Sequence, residues 1–252
     1  MKYFVEKDSV VRKIWGKSDT VLFIFGGAAA EFALNKAVDW LYFTGRLPSD
    51  PLARLFSTVS YARKIIFAEN ESALQIIDSI FTIHKVVENN RGKSIPDWAY
   101  RDVLYMLIHY SIASFEVLER KLSAEEKEEV YNVFYRFGKR MKLKDMASNH
   151  IEWMRQRETD MQNDLRKSNY TADLFKQYKK HLGSVRYFIL IEGQKLIIPE
   201  RVRELLKFKK ISLLIFILPF YKFSRLFHLD SVIKKLLLPK KYAQEIYKLD
   251  IK

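Results

Sequence analysis

The sequence contains no cysteine, and this absence removes whole classes of site. Disulfide bonds, zinc–thiolate centres, iron–sulfur clusters and cysteine nucleophiles are all excluded. Glycine and proline are scarce as well, with 8 and 6 residues in a chain of 252, which argues against disorder and against an all-β chain rich in turns. A metal ligand from this chain is therefore a carboxylate or one of its histidines, which are His84, His109, His150, His181 and His228.

Long apolar runs are also missing. The two longest, 21–30 and 211–220, are each about half of the ~20 residues that a membrane span needs. The N-terminal segment is charged throughout and lacks the apolar core of a secretory signal. A cytoplasmic location is the default expectation.

Positive charge is concentrated in the last fifth of the chain. Residues 201–252 hold 13 Lys/Arg against 4 Asp/Glu, a balance of +9, whereas the first 200 residues hold 31 against 26, a balance of +5. The same C-terminal part contains the apolar run 211–220. We therefore predict that 207–225 contacts an anionic membrane surface rather than a nucleic acid, for which no binding module is recognisable. A buried core helix is the alternative for the apolar run.

Apolar residues recur at helical spacing through most of the chain, and no segment sustains the alternation of a strand. Only 187–198, which Gly193 splits, is ambiguous. Residues 19–43 and 51–68 are predicted as two helices around an LPSDP turn, and Gly183 is predicted to end a later helix. We predict a single all-α domain over 1–252. Helix starts are predicted at Asn70, Pro96, the Ser123–Glu126 capping box, Ser148, Thr171, Asp230 and Pro239.

His84 lies on the apolar face of its predicted helix. A neutral imidazole facing a core needs partners for its ring nitrogens, so a satisfied core histidine is one interpretation, and the pattern alone favours it. The other interpretation is an axial haem ligand, with one nitrogen in an apolar slot and the other held by an acceptor. His109 lies mid-helix and, taken alone, indicates a structural histidine.

Arg54 and Thr58 are four residues apart and share one helix face. Arg54 can hold a haem propionate or another polar ligand group, and Thr58 can donate a hydrogen bond in a pocket. An ion pair between Arg54 and Asp50 is the alternative that spacing alone favours. Gly26 and Gly27 stand inside an apolar helix, where each costs roughly 1 kcal/mol against alanine, so close approach by another helix or by a flat cofactor is expected there.

Several catalytic signatures are absent. The sequence has no phosphate loop, nucleophile elbow or dinucleotide fingerprint. The residues three before His84 and His109 are Phe81 and Met106, so the Glu-x-x-His pair of di-iron proteins is absent too.

Read in order, these features resemble the mpaB / rubber oxygenase (latex-clearing protein) catalytic-domain family. The likeness covers roughly residues 12–198, and a weaker similarity extends into the C-terminal residues. The residues that carry it are Phe25-Gly26-Gly27, Asp50-Pro51-x-x-Arg54-x-x-x-Thr58, Phe67-Ala68, Ile83-His84-Lys85-Val86-Val87, Tyr100-Arg101, His109 and Trp153. Many relatives follow the glycine pair with a Gln and a His-Pro, where this chain has Glu31-Phe32-Ala33-Leu34-Asn35-Lys36.

The resemblance implies a globin-reminiscent fold of about ten helices around a b-type haem. His84 would be the proximal iron ligand, and the cofactor site would include Arg54, Thr58, Gly26 and Gly27. Arg54, Thr58 and His109 would serve catalysis. The implied activity is an oxygenase that uses dioxygen on a hydrophobic, often isoprenoid, small molecule.

Two further hypotheses remain open at this point. One is a haem-binding or sensing protein in which His84 ligates the iron without turnover. The other dispenses with the metal and makes the chain a basic helical protein that binds a membrane surface or a partner.

Overall fold

The computed structural model describes residues 2–45, 49–227 and 239. Over these residues the chain forms eleven helices and no sheet, which confirms the all-α prediction. The helices are α1 Val10–Trp15, α2 Ser18–Phe32, α3 Val38–Phe43, α4 Pro51–Phe67, α5 Asn70–Arg91, α6 Asp97–Leu118, α7 Ala124–Arg140, α8 His150–Asp164, α9 Asn169–Ile197, α10 Glu200–Leu206 and α11 Leu214–Leu226.

Helices α2 and α6 form the centre of the fold, and no other pair of described helices has a more extensive contact. Gly27 permits this approach. A Cβ atom at Gly27 would lie 2.3 Å from the ring of Tyr110 and 2.7 Å from the side chain of Ile197. The fully buried Trp15 packs nearby and donates its indole N–H to the Ser111 hydroxyl at 3.1 Å. Helix packing therefore explains one of the two glycines in the apolar pattern.

The predicted single helix over 19–43 is wrong, because the chain breaks between α2 and α3. The Asn35 amide explains the break. Its oxygen accepts the backbone N–H of Ala37 at 2.8 Å, and its nitrogen donates to Asp102 at 2.7 Å. The carbonyls that a continuing helix would use are engaged by other segments, with Leu34 accepting from the N–H of Arg166. A side chain that bonds its own backbone two residues on competes with the helix.

A helix begins at or near each predicted start that lies within the described residues, although some starts are displaced by one or more residues. The Ser123–Glu126 capping box is confirmed, and α6 begins directly after Pro96. The Ser148 prediction is wrong by one residue, because Asn149 accepts the N–H of Glu152.

Three further start predictions have mixed outcomes. Ser168, rather than Thr171, caps α9, with Thr171 as the third residue of the capping box. Asn70 is the first residue of α5 rather than its cap. His228, the Asp230 cap and the helix predicted after Pro239 lie outside the described residues, and so do Leu47 and Pro48 of the LPSDP turn.

Gly183 interrupts α9, as the sequence predicted, but the helix resumes beyond it. Gly183 has φ 74° and ψ 169°, a conformation that glycine adopts without strain. The ambiguous stretch 187–198 forms the second half of α9 and is helical as far as Ile197. Helix α9 as a whole packs against α2, α4, α6 and α11.

Helix α11 follows α10 and closes one side of the fold. Its outer face is exposed, with Phe216 and Phe220 at 67% and 76% of their full accessibility. The alternative of a buried core helix for 211–220 is therefore wrong. None of the described helices combines the length and the apolar character that crossing a bilayer requires.

Candidate functional site

A large cavity lies between α2, α4, α5, α6, α7, α9 and α11. Its volume is about 1200 Å³, above the roughly 300–1,000 Å³ of common small-molecule sites. Its walls are mainly aliphatic and aromatic, with few polar side chains. The lining includes most of the residues that the sequence singled out, which are Gly26, Gly27, Arg54, Thr58 and His84.

His84 is held in one tautomer by its own helix. Nδ1 lies 2.8 Å from the carbonyl oxygen of Ile80, one turn earlier in α5. Because a carbonyl only accepts, Nδ1 carries the proton and Nε2 keeps its lone pair. Burial, together with the positive charge of Arg54, lowers the pKa of His84. The imidazole is therefore neutral near pH 7 and suited to bind a metal through Nε2.

A clamp between α5 and α6 orients the His84 ring. The Tyr100 ring meets the imidazole edge to face, with 5.2 Å between the ring centroids. The Tyr100 hydroxyl donates to the buried Glu88 at 3.3 Å. Glu88 also accepts from the Lys85 ammonium at 2.6 Å and from the N–H of Ile95 at 2.9 Å. Burial opposes ionisation of Glu88, but these donors outweigh it and keep its pKa below the usual value.

Glu88 was not among the residues predicted from the sequence, although a signal for it exists. It follows His84 by four residues and therefore lies on the same face of α5. A carboxylate one turn after a cavity-facing histidine is well placed to fix a neighbour of that histidine. Two of its donors are the Tyr100 hydroxyl and the N–H of Ile95. Both come close to Glu88 only because the chain turns between α5 and α6.

Arg54 and Thr58 lie on the α4 wall of the same cavity. The Thr58 hydroxyl donates to the Arg54 carbonyl at 3.1 Å, which ties the hydroxyl to the helix and leaves its oxygen as an acceptor. Asp50 caps α4 by accepting the N–H of Ala53 at 3.0 Å. The Arg54 charge acts on His84 across the cavity, since it disfavours protonation of that imidazole.

Gly26 and Gly27 have different surroundings although they are neighbours. A Cβ at Gly26 would meet Leu190 at 3.4 Å, which is close to ordinary contact, whereas the space beside Gly27 is filled by Tyr110 and Ile197. Gly26 is partly exposed, and its carbonyl accepts from the Gln194 amide at 2.9 Å. Of the two, Gly26 is the one that leaves room for a ligand.

His109 is not brought together with His84. It is absent from the cavity lining, and its Nε2 lies 3.1 Å from the Ile197 carbonyl, to which it donates. Its ring meets Tyr110 edge to face at 4.8 Å. Burial, with the charge of Arg157, lowers the pKa of His109 to about 3. His109 is therefore a neutral imidazole whose Nε2 is already engaged.

His109 borders a group of polar residues, the Glu31 cluster, which is formed by Glu31, Tyr110 and Arg157. The buried Glu31 carboxylate accepts from the Arg157 guanidinium at 2.7 Å and from the Tyr110 hydroxyl at 2.8 Å. Asp102 lies close by, and burial raises its pKa to about 7. No local sequence pattern indicates this cluster, because its members come from the separate helices α2, α6 and α8.

Two other histidines lie elsewhere. His150 stacks against Trp153 at the start of α8, and His181 is partly buried beside Gly183 in α9. Over residues 2–45 and 49–227, no three histidine and carboxylate side chains converge to hold a metal ion by themselves. A metal that arrives inside a macrocycle needs only one protein ligand, and His84 has the required state for that.

A comparison with protein families gives a match over most of the chain. The model of the family described as "ER-bound oxygenase mpaB/B'/Rubber oxygenase, catalytic domain" matches residues 12–220. This range begins in α1 and ends in α11, and it contains every residue of the cavity lining discussed above. No curated protein and no solved structure shows significant similarity to the chain.

Proposed function

The chain belongs to the mpaB/rubber oxygenase catalytic-domain family and is thus an oxygenase domain, and on that premise we propose that it uses haem b and dioxygen to oxidise a hydrophobic small molecule. The observation that carries the cofactor assignment is His84. It is a neutral imidazole with Nδ1 held and Nε2 available on the wall of a cavity of about 1200 Å³.

The residues present fit a haem group in four respects. The cavity walls are mainly apolar, as a porphyrin ring requires. His84 offers a single nitrogen whose counterpart is fixed by a backbone acceptor, the arrangement found for metal-bound histidines. Arg54 supplies a cation on the cavity wall for a propionate. Gly26 gives α2 a thin surface beside which a flat ring can lie.

Haem, when bound, supplies the redox-active iron that oxygen chemistry needs. The chain contributes position and environment. His84 would hold the metal, and Tyr100 with Glu88 would fix the orientation of its ring. Thr58, whose hydroxyl oxygen can accept, would orient a donor group of the substrate. The surrounding apolar side chains would exclude water from the reacting carbon.

For His109 we propose a positioning role rather than contact with the reacting atoms. Its hydrogen bond to Ile197 joins α6 to the end of α9. Both helices line the cavity, so this bond would set the distance between two of its walls. The selectivity of an enzyme for a hydrophobic substrate depends on such distances.

We further propose that the whole of 1–252 acts as one helical unit in the cytoplasm, in contact with a membrane surface through 207–225. The basic and apolar composition of 207–225 supports this contact. The isoprenoid class is a narrower proposal for the substrate and rests on the family resemblance alone.

The test is an absorption spectrum of the full-length protein reconstituted with hemin. The wild-type protein should show a Soret band, and His84→Ala should abolish or markedly shift it. Added imidazole should restore the band in His84→Gly, because the free ligand can enter the vacated space. His181→Ala is the matched control and should leave the spectrum unchanged. A wild-type protein that takes up no hemin would overturn the cofactor assignment.

Oxygen consumption separates the oxygenase from a haem-binding protein without turnover. Reduced, reconstituted protein should consume oxygen in the presence of a polyisoprenoid and much less in its absence. A spectrum of iron with two internal ligands and no such consumption would instead favour the sensing hypothesis.

A further inference from the structure

We propose that the outer face of α11 and the lysines before it form a docking surface for an anionic lipid bilayer, and that a hydrophobic substrate passes from that bilayer into the cavity beside α11. The docking surface consists of Lys207, Lys209, Lys210 and the exposed apolar residues of 211–227. The docking part stands on its own observations, whereas the substrate passage rests on the proposed function.

Helix α11 is apolar on two opposite faces. Its inner residues recur at the spacing of one helical face and line the cavity, namely Leu214, Ile217, Leu218 and Tyr221. Its outer residues recur at the same spacing and face the exterior, namely Phe216, Phe220 and Phe223, followed by Phe227. A helix that is apolar all round is normally buried. Here the outer face has no protein cover among the described residues.

The exposed face belongs to a helix that is fixed at both ends. At its start, the Ser212 hydroxyl donates to the Glu192 carbonyl at 2.7 Å, and the N–H of Leu213 donates to the Glu192 carboxylate at 2.6 Å. Further along, the Tyr221 hydroxyl donates to Asp19 at 2.8 Å. Arg225 donates to Glu119 at 2.6 Å. The outer phenylalanines are therefore presented by an anchored element.

The charge of the surrounding residues indicates which kind of partner binds this face. Residues 205–227 contain five basic side chains and no acidic one. Lys207, Lys209 and Lys210 are exposed and directly precede the apolar run. Basic residues beside large apolar ones match the headgroups and the acyl boundary of an anionic leaflet. A second copy of the chain would bring the same lysines together and repel.

Helix α9, whose Glu192 holds the start of α11, also carries exposed apolar side chains. Val185 and Phe188 are exposed, and the residues between and beyond them, Arg186 and Ile189, line the cavity. Ile217 of α11 is 54% exposed and lines the cavity as well. The cavity is thus separated from the docking surface by the thickness of one helix. A molecule dissolved in the lipid would reach the cavity along this rim without crossing water.

The first test is binding of the full-length protein to phosphatidylcholine vesicles with and without phosphatidylserine, followed by sedimentation. Binding should require phosphatidylserine and weaken as salt rises. Lys209→Gln/Lys210→Gln should lower the affinity by about fivefold for each lysine removed. Lys179→Gln/Lys180→Gln, an adjacent exposed pair before the α9 bend, is the matched control and should bind as the wild type does.

The second test reports insertion directly and uses the absence of cysteine. A single cysteine introduced by Phe216→Cys can carry an environment-sensitive fluorophore, and Ile151→Cys on the exposed face of α8 is the control. With phosphatidylserine vesicles, the label at 216 should shift to shorter wavelength and the label at 151 should not. Equal response at both positions, or no binding to anionic vesicles, would overturn the docking proposal whatever the hemin spectrum shows.

The passage is tested with pyrene as a probe and needs no haem. Phe216→Ser/Phe220→Ser changes only exposed side chains, so thermal unfolding should match the wild type. This variant should take up pyrene from phosphatidylserine vesicles on the order of tenfold more slowly, yet bind pyrene from solution with unchanged affinity. Equal uptake rates from vesicles would overturn the passage.

Discussion

His84 and His109 are both histidines on apolar helix faces, yet their surroundings differ in kind. His84 faces a large cavity and uses only Nδ1 in a hydrogen bond to its own helix, so Nε2 remains available. His109 donates from Nε2 to the Ile197 carbonyl and lies next to the buried Glu31 cluster. The ability of a histidine to bind a metal therefore depends on which ring nitrogen the fold leaves unused.

The two regions also differ in what holds them together. On the cavity side, polar groups are spread along walls that enclose space. In the Glu31 cluster, a carboxylate and a guanidinium with about 3% and 6% of their side-chain surface exposed are in direct contact. Stability is therefore expected to depend on the cluster, whereas ligand binding depends on the cavity wall. Substitutions in the two regions can test that division.

The largest effect is expected for Arg157→Leu. The substitution leaves the Glu31 carboxylate buried without its cation, and the free energy of unfolding should fall by about 3–5 kcal/mol, measured by urea denaturation. Arg54→Leu on the cavity wall should change it by less than about 1 kcal/mol and should instead weaken hemin binding. The double variant Glu31→Leu/Arg157→Leu should be more stable than Arg157→Leu. Similar losses for Arg157→Leu and Arg54→Leu would contradict the division.

The adjacent glycines provide the next comparison. Gly27→Ala would push a methyl group into the Tyr110 ring and should cost about 1–3 kcal/mol of stability. Gly26→Ala meets only Leu190 at 3.4 Å and should stabilise α2 by up to about 1 kcal/mol, while taking space from the cavity. Thermal unfolding with a parallel hemin titration measures both. A stability loss for Gly26→Ala as large as that for Gly27→Ala would refute the conclusion that helix packing requires a glycine only at position 27.

The sequence predicted the helices well because helical spacing and caps are local properties. The Ser123–Glu126 box and the start at Pro96 needed no tertiary information. The break after α2 was missed because it depends on Asn35 meeting Asp102, which is 67 residues away.

The candidate site was predictable to a similar extent. The spacing of His84 placed it on an apolar face, and the resemblance gave it a role. The contact of Tyr100 with Glu88 and the Glu31 cluster both depend on the packing of separate helices, which periodicity along one helix does not report. The same limit applies to His109, since nothing local indicates that its Nε2 meets the Ile197 carbonyl.

Two buried groups near the cluster should make stability depend on pH in opposite directions. Folded His109 takes a proton only near pH 3, whereas the unfolded imidazole does so near 6.5, so its contribution falls as pH drops through this window. Folded Asp102 keeps its proton up to about pH 7, whereas the unfolded carboxyl loses it near 3.8, so its contribution falls as pH rises.

Single variants should separate these two contributions. Between about pH 4 and 6.5, Asp102→Asn should make the free energy of unfolding rise more steeply with pH than in the wild type, by about 1.4 kcal/mol per pH unit. His109→Gln should change the slope by the same amount in the opposite sense. Urea unfolding at a series of pH values measures both slopes. A slope for His109→Gln equal to that of the wild type would show that burial does not keep the His109 imidazole neutral in the folded protein.

The smallest effect is expected for Tyr100→Phe, which tests the cavity side alone. The variant keeps the ring against His84 and loses only the hydroxyl that donates to Glu88 at 3.3 Å. A hydrogen bond of this kind contributes about 0.5–1.5 kcal/mol, so hemin affinity should fall by up to about tenfold. Tyr100→Leu also removes the ring contact and should weaken binding further. If instead both variants bind hemin as the wild type does, the α5–α6 clamp does not orient the ligand, and the Ile80 carbonyl alone sets the position of Nε2.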